Sequence, residues 1–210
     1  MWADVSHRVR LVLRSPTPRQ WRIRVLAAPC VLLACAALAG ESPTIEYLDE
    51  ETGATVTAVD EPLVFEYPRR DLAANAHDYA TLAAASVNRG GKIDYVLIVY
   101  FWSTVDPRMR TDTLPAAEPL VIQADDRRLT LKLRGHSAHE AGIGLPVHAP
   151  PVGNAAPNVY GTDLATVRFI AAARQLALLA DSDGTTLTYE LWTDRRASLR
   201  AFVRHMSGED

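Results

Sequence analysis

Cysteine is nearly missing from this 210-residue chain, and the two that occur, Cys30 and Cys35, both lie in the first 40 residues. From residue 36 onward there is no thiol. That excludes an internal disulfide, a thiolate nucleophile and a cysteine-built zinc site from the body of the protein, so its cohesion has to come from packing. Lysine is almost as scarce, with only Lys92 and Lys132 beside a majority of arginines. There is no internal repeat, no Gly-x-Ser-x-Gly elbow for a serine hydrolase and no glycine-rich phosphate loop ahead of a helix; Asn88-Arg89-Gly90-Gly91 lies between two strand-like runs. No motif in the body names a reaction or a cofactor, and none is expected.

What is there has the balance of an ordinary globular protein, 48% hydrophobic and 22% charged, at a length that suits one core. Residues 1–35 hold six arginines and a single acid, Asp4, which leaves 16 basic and 24 acidic residues and a net charge of about −8 for the remainder. Such a field repels phosphate backbones, so nucleic acid is not an expected partner.

The first 40 residues read as a secretory leader. A basic region ending at Arg24 precedes the apolar stretch 25–39, interrupted by Pro29, and Gly40-Glu41-Ser42-Pro43 breaks the run. This is shorter than the ~20 apolar residues a spanning helix needs and has the length of a signal core. Within it, Leu32-Leu33-Ala34-Cys35 resembles the lipobox of bacterial envelope lipoproteins. That resemblance covers the leader alone and implies acylation of Cys35, cleavage before it, and, with Ala36 following, an outer-membrane address. Ala37-Leu38-Ala39 is a competing site for ordinary signal peptidase, which would release a soluble periplasmic protein. The basic region is long, and an uncleaved anchor or a start codon further downstream stays open.

Residues 41–210 are expected to form one α+β domain, mainly an antiparallel sheet with two helices in the C-terminal third packed on one side of it. Alternating apolar runs predict strands over 44–48, 55–59, 63–67, 79–87, 93–104, 120–124, 129–133, 176–179 and 186–192. Gly53, Asp125-Asp126 and Asp183-Gly184 mark turns. The continuous run 95–102 is expected to be a central strand covered on both faces. Asp163 is positioned to cap a helix with Leu164, Val167, Ile170 and Ala171 on one face, and a last helix begins near Asp194 with Leu199, Phe202, Val203 and Met206 inward.

Residues 135–161 are the segment with most room for function, because a Gly, Pro and Asn-rich connection this long is uncommon inside a domain. It holds His136, His139, Glu140 and His148, an imidazole and carboxylate set of the kind zinc takes. The spacing matches no zinc motif, since Ile143 stands where a metalloprotease helix would place its second histidine, and a solvated connection is the expectation. Asp181-Ser182-Asp183-Gly184 resembles part of a calcium loop, but Gly184 comes a position early and a hairpin turn explains it. The expected role is a non-catalytic envelope lipoprotein that meets the membrane through its anchor and binds an unidentified envelope component or supports an assembly. The alternative is a metal-dependent hydrolase built on the histidine loop.

Overall fold

A computed structural model describes residues 44–70, 72, 75–105, 118–153 and 155–209. The leader, with Cys35 and both cleavage sites, lies outside the described residues.

Strands β1 (Thr44–Asp49) and β2 (Ala54–Val59) form a hairpin. The Asp49 carboxylate receives the Glu51 and Thr52 N–H groups, and Gly53 takes a φ of 65°. β3 (Leu63–Pro68) follows, then the long hairpin of β4 (His77–Arg89) and β5 (Lys92–Ser103), paired without interruption from Arg89↔Lys92 to Asp78↔Ser103. Its turn is only Gly90-Gly91, both at positive φ, which fits the twist of a tight hairpin. β6 (Leu120–Ala124) and β7 (Arg127–Gly135) turn at Asp125-Asp126. β8 (Pro157–Thr162) leads into α1 (Leu164–Ala172), β9 (Leu176–Ser182), β10 (Thr185–Thr193) and α2 (Arg196–Ser207). Asp163 caps α1 by accepting the Thr166 N–H at 2.6 Å.

The antiparallel strands and the two late helices are as expected, but the sheet is not open. Every neighbouring pair is antiparallel, and the order β3-β4-β5-β8-β7-β6-β9-β10 returns to β3, closing an eight-stranded barrel with the β1–β2 hairpin appended to β4 beyond the end of β3. Closure leaves the helices at one end of the barrel instead of on one side of a sheet. That end holds the β6–β7 turn, the exit of β8, the entry of β9 and the exit of β10. Asp125 Oδ1 there accepts the Arg174 and Gln175 N–H groups, each at 2.9 Å. Val167, Ile170, Leu199 and Phe202 continue the same core as inward Phe65, Leu82, Leu97, Ile122, Leu178 and Tyr189, so the helices close this end.

A second core lies outside the wall. Val56, Val87, Val96, Ile98, Tyr100 and Val159 face outward from β2, β4, β5 and β8, and the segment 136–156 packs Ala138, Ala141, Ile143 and Ala155 onto them. This is why β5 is buried on both faces: one side fills the barrel and the other lies under a cover. The expected loop of 135–161 is shorter than its composition suggested, since Gly135 ends β7 and Pro157–Thr162 pairs with β5 and β7. Pro157 is tolerated as the first residue of its strand, and Gly161 leaves room for Arg134, whose Nε would lie 2.9 Å from any added Cβ.

Candidate functional site

The segment 136–156 buries Ala138, Ala141, Ile143 and Ala155 against the outer wall and leaves His136, His139 and Glu140 exposed. One 3-10 turn, His139–Ala141, is ended by Gly142 at φ 77°. Asp49, only 2% exposed, accepts the Gly144 N–H as well as those of its own turn. The Gly144 hydrogen bond, with the donors of the β1–β2 turn behind it, holds the Asp49 carboxyl below the usual carboxylate range. Arg89 Nη2 donates to the Gly142 carbonyl at 2.7 Å, and the Tyr47 and Tyr100 hydroxyls donate to the Leu145 and His148 carbonyls.

The rings of His136 and His139 are engaged by different parts of the fold, and Glu140 accepts from the His136 backbone. The His136 N–H donates to Glu140 Oε2, and its ring Nδ1 lies 2.9 Å from Asn158 Oδ1 on β8. His139 Nε2 reaches Glu51 Oε1 at 3.1 Å in the β1–β2 turn. His148 is half-buried; burial pushes its pKa down, and a hydrogen bond to the Val59 backbone only partly opposes that. Among the described residues no three His, Cys, Asp or Glu side chains are grouped as a metal would require.

The other polar constellation, which the sequence reading missed, sits at the barrel end opposite the helices. Along β3, β4 and β5 the inward parity is Leu63-Phe65-Tyr67, Asp78-Ala80-Leu82 and Leu97-Val99-Phe101-Ser103. Asp78 is therefore a carboxylate at an apolar parity, and it is 4% exposed. Arg69 Nη1 donates to its Oδ2 at 3.0 Å, while Oδ1 is buried with no hydrogen-bond partner among the described residues. Around this pair the Tyr189 ring lies 5.6 Å from both Tyr67 and Phe101. Burial raises the Tyr189 pKa, Asp78 adds to the shift and Arg69 opposes it, so the hydroxyl stays protonated as a donor. On the outer surface of the same strands, Tyr79 stacks on Trp102 at 4.4 Å, and His77 lies 3.2 Å from Glu66.

The signal for Asp78 was available as parity: it stands two residues before Ala80 and four before Leu82, on the face that must be apolar. It was hidden because the residues before Tyr79 show no alternation of their own. Chemically, this end of the barrel holds a buried carboxylate paired with Arg69, in the neighbourhood of Tyr67, Phe101 and Tyr189. That suits a ligand group that donates hydrogen bonds. The chain matches no family model, no characterised protein and no solved structure.

Proposed function

We propose that the chain is an exported bacterial envelope lipoprotein, anchored by an acylated Cys35 and facing the periplasm, that acts by binding and not by catalysis. The leader supports export and the lipobox-like Leu32-Leu33-Ala34-Cys35 supports the anchor. The observation that carries the binding reading is the unpartnered Asp78 Oδ1 at the mouth of a barrel whose other end is closed. A small barrel fills with side chains or holds one ligand at its mouth. Glu66 Oε2 and Asp181 Oδ1 are likewise buried without a hydrogen-bond partner among the described residues, but on the outer parity of their strands; Asp78 Oδ1 is the carboxylate oxygen on the inner one, and a donor on a bound group would offset the cost of keeping it there. The hydrolase alternative draws less support, because the His136 and His139 rings are held by Asn158 and Glu51 in different parts of the fold and no three ligating side chains are grouped among the described residues.

The test is crosslinking in cells followed by identification of what is captured. Asp78→Asn keeps the shape of the side chain and removes its charge. We expect the wild-type adduct to be lost in this variant, while its thermal midpoint moves by no more than a cost of about 1–3 kcal/mol implies. Capture unchanged in Asp78→Asn would place recognition elsewhere.

A further inference from the structure

The surface of the helical end is built from two residue types. α1 and α2 run antiparallel: Arg168 Nη2 donates to Ser207 Oγ at 2.6 Å, Arg200 Nη1 to the Ala171 carbonyl at 3.2 Å, and Arg196 to the Ala173 and Arg174 carbonyls. The exposed positions of the two helices are Ala165, Arg168, Ala172, Ala197, Arg200 and Arg204. None is acidic. Of the acids beside it, Asp163 caps α1, Asp194 pairs with Arg196 and Glu61 lies 3.4 Å from Arg195, while Asp60, Asp126 and Glu209 are exposed around the rim of the face and not on the helices. A rigid face carrying three exposed arginines thus sits on a protein whose net charge beyond the leader is about −8.

The described chain begins beside that face. Thr44 opens β1, β1 and β2 pack against α2, and Glu46 lies 3.3 Å from His205 of α2. Nine positions separate Cys35 from Thr44, at most roughly 30 Å of extended chain.

We infer that the α1–α2 face docks on anionic phospholipid headgroups and turns the barrel mouth, with Asp78, away from the bilayer. The inference rests on the proposed anchor for its tether and on charge complementarity for its orientation. Each arginine brought against an anionic leaflet strengthens attraction about fivefold, within a screening distance of about 10 Å. The remaining acidic surface is repelled by the same leaflet, so the helices-down orientation is the one favoured. Small alanines between the arginines let the guanidinium groups reach the headgroups, and arginine suits phosphate through paired N–H donors.

The full chain, produced in bacteria with a photoreactive phenylalanine analogue in place of either Ala197 or Thr185, tests this. Thr185 is exposed at the start of β10, next to the turn at the opposite end of the barrel. Irradiation of intact cells should yield phospholipid adducts from Ala197 at least about fivefold above those from Thr185. The combined Arg168→Glu, Arg200→Glu and Arg204→Glu variant should lose more than about tenfold of the Ala197 yield, and Lys at the same three positions should retain it. If the Glu variant melts early, Gln at the three positions removes the charge without adding repulsion, and its yield should still fall. Equal lipid yields from the two ends, protein adducts in place of lipid at Ala197, or a yield unmoved by loss of charge would overturn the inference. The intact mass of the same sample reports acylation at Cys35 separately. Acyl chain present without lipid adducts refutes docking alone, and adducts without an acyl chain support docking and refute the anchor.

Discussion

Asp49 and Asp78 are both buried carboxylates, and they differ in what satisfies them. Asp49 receives backbone N–H groups from its own turn and from Gly144, so it is a fastener between the β1–β2 hairpin and the cover. Because its folded pKa is lowered, its contribution is present above the unfolded value near 3.9 and is lost as pH falls below that, through the folded value. Amide exchange in residues 138–147 should therefore stay slow from pH 7 to 5 and quicken below about pH 4, and Asp49→Asn should show the quick exchange already at neutral pH. Protection that is the same in the variant would remove Asp49 from the clamp. His148 has the opposite charge type and the same sign of linkage: its neutral form is favoured in the fold, so stability falls as pH drops below about 6.5. Replacing the exposed His136 or His139 by Ala should change stability by less than about 0.5 kcal/mol, whereas His148→Ala, which removes a half-buried ring, should cost about 1–2 kcal/mol. Zinc titration of the protein should show no stoichiometric micromolar binding; binding that any one of the three substitutions abolishes would reinstate the hydrolase reading.

The elements divide into those written in local sequence and those decided by distant partners. Hairpin turns were legible because Gly90-Gly91 and Asp183-Gly184 supply the positive φ that tight turns need. α1 was legible from its Asp163 cap and its apolar face. β8 was not, because Pro157, Asn158 and Gly161 read as loop and become a strand only between β5 and β7. Closure was illegible for the same reason: β3 meets β10, and β6 meets β9, across long stretches of chain that no local period encodes. The histidine loop was found as a segment, with His136 and His139 exposed, but the packing of Ala138, Ala141, Ile143 and Ala155 was not legible, since the apolar face they cover belongs to β2, β4, β5 and β8. The two faces of β5 separate these cores experimentally. Phe101→Ala, on the barrel side against Tyr189, should cost about 3–5 kcal/mol. Ile98→Ala, under the cover, should cost about 2–5 kcal/mol and also speed proteolysis within 136–156. A thermal midpoint unchanged in both would show that β5 is not core.

At the largest scale the described residues form a barrel with unlike ends. One end is closed by α1 and α2 and presents arginines; the other holds a buried acid among tyrosines. Among the described residues no helix is long and apolar enough to cross a membrane, so any attachment to one through those residues has to be made at a surface or through strands. In the proposed reading, an acylated Cys35 and the basic face would together supply the two signals that stable anchoring requires. Cys35→Ser should abolish lipid labelling and release the protein into the periplasmic fraction. The deciding measurement is the intact mass and N-terminal residue of the protein recovered from bacterial envelopes. We expect a chain that begins at Cys35 and carries acyl groups; an unmodified chain beginning at Gly40 would contradict the lipoprotein reading, and one that still carries Met1 would contradict cleavage of the leader.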